Sequence, residues 1–230
     1  MKIFKKESNL EKLIITLYFA VATVEVTAEL FSYKPILFIF KPLISLLLML
    51  LYWESSTQRN ILFFLVIFFS MITNVFFIPN TEKMLFLALL AFSVHRILTI
   101  IYLIKLTKIK DYIPSLIAMI PFLFFFFYLL SVSGEMKESR YVVLIIQNVL
   151  VSILGGITTS DFFMNLNRKN PWLLIFGILS VTLYFIVFVE KYYLSDLSPV
   201  IFRPLAMILN TVVYYTFYKY VIETEKSNDN

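Results

Sequence analysis

The stretch YVVLIIQNVLVSILGGITTSDFFMNLN, from Tyr141 to Asn167, has about twenty consecutive uncharged residues before its first carboxylate, Asp161. A helix of about that length crosses the hydrocarbon core of a bilayer, so the stretch predicts a transmembrane helix. Gly155 and Gly156 lie one to two helical turns before Asp161, and Ser160 directly precedes it. An ionisable group on a membrane helix is a candidate functional residue. A carboxylate in the headgroup region costs little, however, so Asp161 has an equally good structural explanation.

The composition of the whole chain agrees with a polytopic membrane protein. Of its 230 residues, 60% are hydrophobic and 15% are charged, against about 25% charged in soluble domains. Abundant Phe and Tyr, only 4 Gly and no alternating strands favour helices over a barrel. The absence of cysteine excludes disulfides and thiolate chemistry, and a single histidine argues against a zinc site. We therefore expect no metal and no cofactor, and the basic residues give no nucleic-acid signal.

Hydrophobic lengths predict an all-α, single-domain protein, residues 1–230, with eight transmembrane helices joined by short connections. The predicted spans are 10–31, 36–53, 61–78, 84–106, 112–132, 141–166, 172–189 and 199–221. The first of them has no small-residue cleavage site after it, so we interpret it as a retained helix rather than a signal peptide.

The distribution of basic residues predicts the orientation. Most of them lie on the side of the N-terminus, which places both termini in the cytoplasm, and we expect the protein in a bacterial inner membrane. The side of the termini holds Lys2, Lys5, Lys6, Lys12, Arg59, Lys105, Lys108, Lys110, Arg168, Lys169, Lys219 and Lys226. The other side holds Lys34, Lys83, Lys137, Arg140 and Lys191.

Polar residues inside the spans are few, and we expect them to pair or to face a hydrated cavity. They are Glu25, Glu29, Lys41, Asn74, His95, Arg96, Gln147, Asn148, Asp161, Arg203 and Asn210. Structural explanations stay open for several of them. Lys41 and Arg203 can extend to the interface, Glu29 can lie near the headgroups, and His95 can be a hydrogen-bonded core histidine. Arg96 needs a carboxylate or water at mid-membrane depth, where Glu25 is a possible partner.

Three short motifs, in order, resemble the YhhN family of lysoplasmalogenase-like membrane proteins. The first is Lys-Pro-Leu at Lys41 in FKPLISLLLMLLY, and the second is FSVHRILTIIY, with His95 and Tyr102. The third is GGITTSDFFMNLNR, with Ser160 and Asp161. The resemblance covers most of the chain and agrees with eight spans. Where the family usually has an aspartate near the end of the third helix, this chain has Asn74.

The resemblance implies hydrolysis of the vinyl ether bond of a lysoplasmalogen. Protonation of the double bond and capture by water require a general acid and a group that orients water. Asp161 would be the acid, with Asn74 and His95 as the other catalytic candidates. Lys41, Ser160, Tyr102 and Arg203 would bind the substrate.

Two hypotheses for the function stay open. The first is the hydrolase, acting on a lysophospholipid or another amphiphilic small molecule, and Asp161, His95 and Lys41 favour it. The second is a non-catalytic lipid-binding or small-molecule transport protein that uses the same cavity. Asn74 favours the second hypothesis, because an amide cannot replace a catalytic carboxylate. Both hypotheses assume that the polar side chains meet in one enclosed, hydrated chamber.

Overall fold

The computed structural model describes residues 8–109, 111–133, 138–164, 170–193 and 201–228, apart from the side chain of residue 139. The described residues form eight α-helices and no strand, which confirms the predicted all-α helix bundle. The helices are α1 Asn9–Leu30, α2 Lys34–Ser55, α3 Ile61–Phe77, α4 Glu82–Thr107, α5 Ile113–Val132, α6 Glu138–Met164, α7 Trp172–Tyr192 and α8 Phe202–Asn228.

Seven of these helices are long and apolar enough to cross a membrane. The exception, α3, is entirely uncharged but has 17 residues, a length of about 25 Å. The predicted spans agree with the helices except at some ends: α8 continues to Asn228, several residues beyond the predicted end at Val221. The predicted end of span six at Leu166 and start of span eight at Pro199 lie outside the described residues.

The orientation of the protein stays a prediction. Several of the basic residues on which it rests lie outside the described residues: Lys2, Lys5, Lys6, Lys110, Lys137, Arg168 and Lys169.

Local sequence signals explain where several helices begin. Ser8 caps α1 in a capping box, because its hydroxyl accepts from the Glu11 N–H and the Glu11 carboxylate accepts from the Ser8 N–H. Asn60 and Thr81 cap α3 and α4 through their side-chain oxygens. These caps satisfy backbone donors that would otherwise lack a partner at the helix ends.

Seven helices form a closed ring, in the order α1, α2, α3, α4, α6, α7, α8 and back to α1. Helix α5 lies outside this ring and packs against α6, which leaves most of its surface facing outward. Apolar residues such as Phe124 and Tyr128 cover that surface, as expected for a helix in contact with lipid. The ring therefore encloses the interior of the bundle, and α5 does not contribute to the wall of that interior.

Aromatic side chains fill one half of the ring. Tyr52, Phe63, Tyr102 and Phe217 are each fully buried there, and the rings of Phe63 and Phe217 stack with their centroids 5.6 Å apart. These residues lie on α2, α3, α4 and α8, towards the end of the bundle at which α2 and α4 finish. This half of the interior is closed by close-packed side chains.

Glycines allow α6 to approach its neighbours closely. A Cβ atom on Gly156 would lie 2.6 Å from the backbone oxygen of Ser115 on α5, whereas one on Gly155 would meet only the ring of Phe122, at 3.0 Å. A Cβ on Gly177 of α7 would overlap Thr158 of α6. The glycines that precede Asp161 therefore serve helix packing, as small residues commonly do in membrane bundles.

We expect Gly156→Ala to lower the free energy of unfolding by about 1–3 kcal/mol, because the backbone of Ser115 cannot move aside as a side chain can. Gly155→Ala is the matched control: the ring of Phe122 can rotate, and alanine gains about 1 kcal/mol in helix propensity. Unfolding in mixed micelles titrated with dodecyl sulfate measures both variants. Equal stabilities of the two variants would contradict this account.

Candidate functional site

A cavity of about 130 Å³ lies inside the ring, in the half that the aromatic side chains leave open. By the volume that one water needs, it has room for on the order of ten waters. All seven helices of the ring contribute to its wall: Glu29 from α1, Lys41 from α2, Asn74 from α3, Phe92 from α4, Arg140 from α6, Tyr184 from α7 and Asn210 from α8. We call the end of the bundle where it lies the cavity end.

Positive charge predominates around the cavity. Among the described residues, its lining includes the cations Lys34, Lys41, Arg140, Lys191 and Arg203 but only two carboxylates, Glu29 and Glu190. Three of the predicted site residues, Lys41, Asn74 and Arg203, are therefore brought together here.

Lys41 forms a buried ion pair with Glu29. Its Nζ lies 2.6 Å from Glu29 Oε1, and the two side chains are 2% and 8% exposed. Both side chains are therefore enclosed by the protein and satisfied by each other. The two opposite charges balance each other, and in the low-dielectric interior they attract each other strongly.

Glu190 is shared by two cations at the mouth of the cavity. Its Oε1 atom lies 2.9 Å from Arg203 Nε and 3.2 Å from Lys191 Nζ. Arg140 has a longer contact, 3.4 Å, with Glu82, whose side chain is 63% exposed. An exposed ion pair contributes little. Among the residues that the structure describes, the mouth of the cavity therefore carries more positive charge than its carboxylates neutralise.

The remaining wall is mostly apolar, with a few polar groups. Asn74, Asn210, Tyr184 and Tyr214 supply amide and hydroxyl groups. The apolar members include Leu37, Phe77, Leu85, Leu89, Phe92, Leu144, Leu183, Val187, Phe188, Ala206 and Met207. Small-molecule sites commonly combine an apolar wall with a few polar groups that orient the ligand.

His95 does not line the cavity but lies behind Tyr214, which does. Its Nδ1 is 2.9 Å from the Val66 carbonyl oxygen, an atom that only accepts, so Nδ1 carries the proton. The Nε2 atom then accepts from the Tyr214 hydroxyl at 3.2 Å. With both nitrogens occupied, His95 has the contacts of a hydrogen-bonded core histidine that holds Tyr214 in place.

Arg96 is buried near the middle of α4 and has no carboxylate partner among the described residues. Its guanidinium lies between the rings of Phe92 and Tyr184, 4.5 and 4.7 Å from their centroids. The expected partner Glu25 forms no ion pair with it; the charges that act on Glu25 are those of Lys41 and Glu29. Cation–π contacts contribute about 2 kcal/mol when desolvated, less than the several kcal/mol that burial of a charge costs.

Asp161 and Ser160 lie far from the cavity. They belong to the last turns of α6, whereas Arg140 and Leu144, near its beginning, line the cavity. The helix is continuous through Gly155 and Gly156, so Asp161 lies about 25 Å beyond Leu144 along its axis. Ser160 forms a hydrogen bond of 2.7 Å with Ser115 of α5. The assumption that Asp161 and Asn74 share one chamber is therefore wrong for the cavity described here.

Tyr102, the last predicted binding residue, belongs to a third location. It lies in the aromatic half, with its hydroxyl 3.4 Å from Glu225. Glu225 also accepts from Tyr52 and Ser56, both at 2.6 Å, and is 3% exposed. The predicted site residues thus divide among the cavity, the last turns of α6 and this cluster around Glu225, and His95 lies apart from these three, behind Tyr214.

Sequence reasoning missed several residues that form these sites. Arg140 and Lys191 entered the sequence analysis only as loop cations opposite the termini, and Glu190 was not considered. An excess of basic residues near these helix ends could have indicated a charged mouth. Tyr184 and Tyr214 carried no signal that separates them from other aromatic residues of apolar spans.

Among the described residues, no group of three or more His, Asp or Glu side chains could hold a metal ion.

Comparison of the chain with protein-family models, curated proteins and solved structures found no match. Membership of the YhhN family therefore stays a prediction from the three motifs.

Proposed function

We propose that this integral membrane protein binds an amphiphile with an anionic head group, of the lysophospholipid class, in the cavity of its helix ring. The single observation that carries this proposal is the combination of a positively charged mouth with an apolar wall. Such a site complements a phosphate head attached to an acyl chain. Arginine in particular pairs with phosphate through two parallel hydrogen bonds.

The closed half of the ring favours binding over a continuous transport pathway. The fully buried rings of Tyr52, Phe63, Tyr102 and Phe217 fill the interior between the cavity and the other end of the bundle. A ligand therefore enters and leaves at the cavity end in this conformation. An amphiphile can reach the cavity from the adjacent leaflet.

Binding should depend on the charge of the head group. We expect purified protein in phosphatidylcholine nanodiscs to bind lysophosphatidylglycerol more tightly than monoacylglycerol of the same chain length. The double variant Lys191→Gln/Arg203→Gln should weaken binding of the charged lipid by about 10–100-fold, because a positively charged entrance raises the local concentration of an anionic ligand by about 10–10³-fold. Titration calorimetry measures these affinities.

Lys105→Gln is the matched control, because Lys105 is an exposed cation near the opposite end of α4. It should leave both affinities unchanged. Equal affinity for the charged and the uncharged lipid in the native protein would reject the proposal.

Hydrolysis of a vinyl ether is the second candidate, supported by the position of Lys41 and Asn74. Lys41 belongs to a motif that resembles the YhhN family, Asn74 occupies the place of the family's usual aspartate, and both line the cavity. The carboxyl groups in that lining are Glu29 and Glu190, and each is ion-paired. Asn74→Asp would supply the carboxylate usual in the family. Aldehyde release from a lysoplasmalogen that appears or rises in Asn74→Asp supports this candidate, and no release from either protein rejects it.

A further inference from the structure

Arg96 is a buried cation whose charge no described residue balances. It is the fifteenth of the 26 residues of α4, near the middle of the bundle, and is 4% exposed. Its Nη1 atom has no hydrogen-bond partner among the described residues. A charged side chain at this depth is costly and usually marks a ligand site or an ion pathway.

The two rings that hold the guanidinium also form part of the cavity wall. Phe92 and Tyr184 both line the cavity, and both lie within 5 Å of the Arg96 guanidinium carbon. The charge is thus separated from the cavity by no more than these two side chains. Rotation of either ring would expose the guanidinium to a ligand.

Two further buried polar atoms, on α6 and α7, lack a partner among the described residues. One is the hydroxyl of Ser180, one turn before Tyr184 on α7, and the other is the Oε1 atom of Gln147 on α6. Native structures leave few buried polar atoms unsatisfied, and each calls for an explanation such as an ion or water. The Tyr184 hydroxyl donates to Asn148 Oδ1 at 2.7 Å, and it accepts no hydrogen bond from Arg96 Nη1, which has no partner among the described residues.

Resting on the proposed function, we propose that Arg96 is the residue that binds the anionic group of the ligand, as the counter-ion of a monovalent oxyanion. The cations at the mouth attract the ligand, since a charged entrance raises the local concentration of an oppositely charged ligand. The guanidinium then pairs with the oxyanion through two parallel hydrogen bonds. One buried positive charge matches one negative charge, which selects a phosphodiester or carboxylate over an uncharged or zwitterionic head.

The test compares Arg96→Met and Arg96→Lys with the native protein in phosphatidylcholine nanodiscs. We expect Arg96→Met to raise the Kd for lysophosphatidylglycerol by more than about 30-fold and to leave the Kd for monoacylglycerol unchanged. Arg96→Lys keeps the charge but loses the paired geometry, so its Kd for the charged lipid should rise by about 10-fold.

The Tm without ligand separates a binding role of Arg96 from a purely structural one, because the loss of a structural residue would lower the Tm. Removal of an unbalanced buried charge should leave the Tm of Arg96→Met equal to or above that of the native protein. Arg59→Met is the matched control, because Arg59 also lies over an aromatic ring, that of Trp53, but at the other end of the bundle. It should change neither affinity.

The outcomes separate the two proposals. A native protein without preference for the charged lipid rejects the proposed function. A native preference that Arg96→Met and Arg96→Lys retain rejects the role of Arg96 alone, and so does a loss of folding in Arg96→Met. A rise in Tm with inorganic phosphate that Arg96→Met abolishes supports the site with a free anion as its ligand. The same rise with the lysolipid alone supports the site with a lipid head group as its ligand.

Discussion

Replacement of Lys41 by methionine is expected to lower the free energy of unfolding by about 3–5 kcal/mol, because it leaves a buried carboxylate without its cation. Lys41 Nζ and Glu29 Oε1 lie 2.6 Å apart, and both side chains are almost completely enclosed. Glu25, one turn deeper on the same face of α1, is 2% exposed, so the loss of Lys41 leaves two enclosed carboxyl groups. Unfolding with dodecyl sulfate in mixed micelles measures the change.

Two further variants test whether the lost pairing is the cause. The double variant Lys41→Met/Glu29→Met removes both charges, and we expect it to recover most of the stability, since apolar replacements of buried pairs are often tolerated. Lys34→Met, at an exposed lysine on the same helix, should change stability by no more than about 0.5 kcal/mol. A double variant as unstable as Lys41→Met would show that the ion pair is not the reason.

Glu225→Gln should destabilise the protein by about 1.5–3 kcal/mol, the value of a hydrogen bond to a charged group. The Tyr52 hydroxyl already accepts from the Asn60 N–H, and the Ser56 hydroxyl accepts from the Arg59 N–H. Both hydroxyls therefore donate their single protons to Glu225, one to each carboxylate oxygen. An amide has one oxygen only, so its NH₂ group must face one of these donors.

Glu223→Gln is the control on the same helix. The exposed carboxylate of Glu223 accepts from Trp172 Nε1 at 2.7 Å, and an amide oxygen can accept that bond equally well. We expect Glu223→Gln to unfold at the native dodecyl sulfate concentration and Glu225→Gln at a lower one. If the two variants unfolded together, the carboxylate of Glu225 would not be what joins α8 to the connection between α2 and α3.

The separation of Asp161 from Asn74 bears directly on the choice between hydrolase and binding protein. The motif that contains Lys41 and the position of Asn74 meet at the cavity, whereas Asp161 lies in the last turns of α6, at the other end of the bundle. A general acid must lie within hydrogen-bond reach of the atom that it protonates. The cavity supplies cations and an apolar wall, and this combination suits ligand binding better than acid catalysis.

Sequence alone was sufficient for the membrane class, the helices and their approximate ends. Apolarity over about twenty residues is a local property, and so are the caps at Ser8, Asn60 and Thr81. Counting residues along antiparallel helices also puts Asn74 and Asp161 towards opposite faces of the membrane, and the structure places them at opposite ends of the bundle.

Tertiary structure alone decided which polar side chains meet. Lys41 pairs with Glu29 and Arg203 pairs with Glu190, because the rotation of each helix in the ring determines which face turns inward. Arg96 packs between aromatic rings instead of against a carboxylate for the same reason. In an apolar helix nearly every face is hydrophobic, so its residue pattern contains little information about that rotation, and only packing against the neighbouring helices determines it.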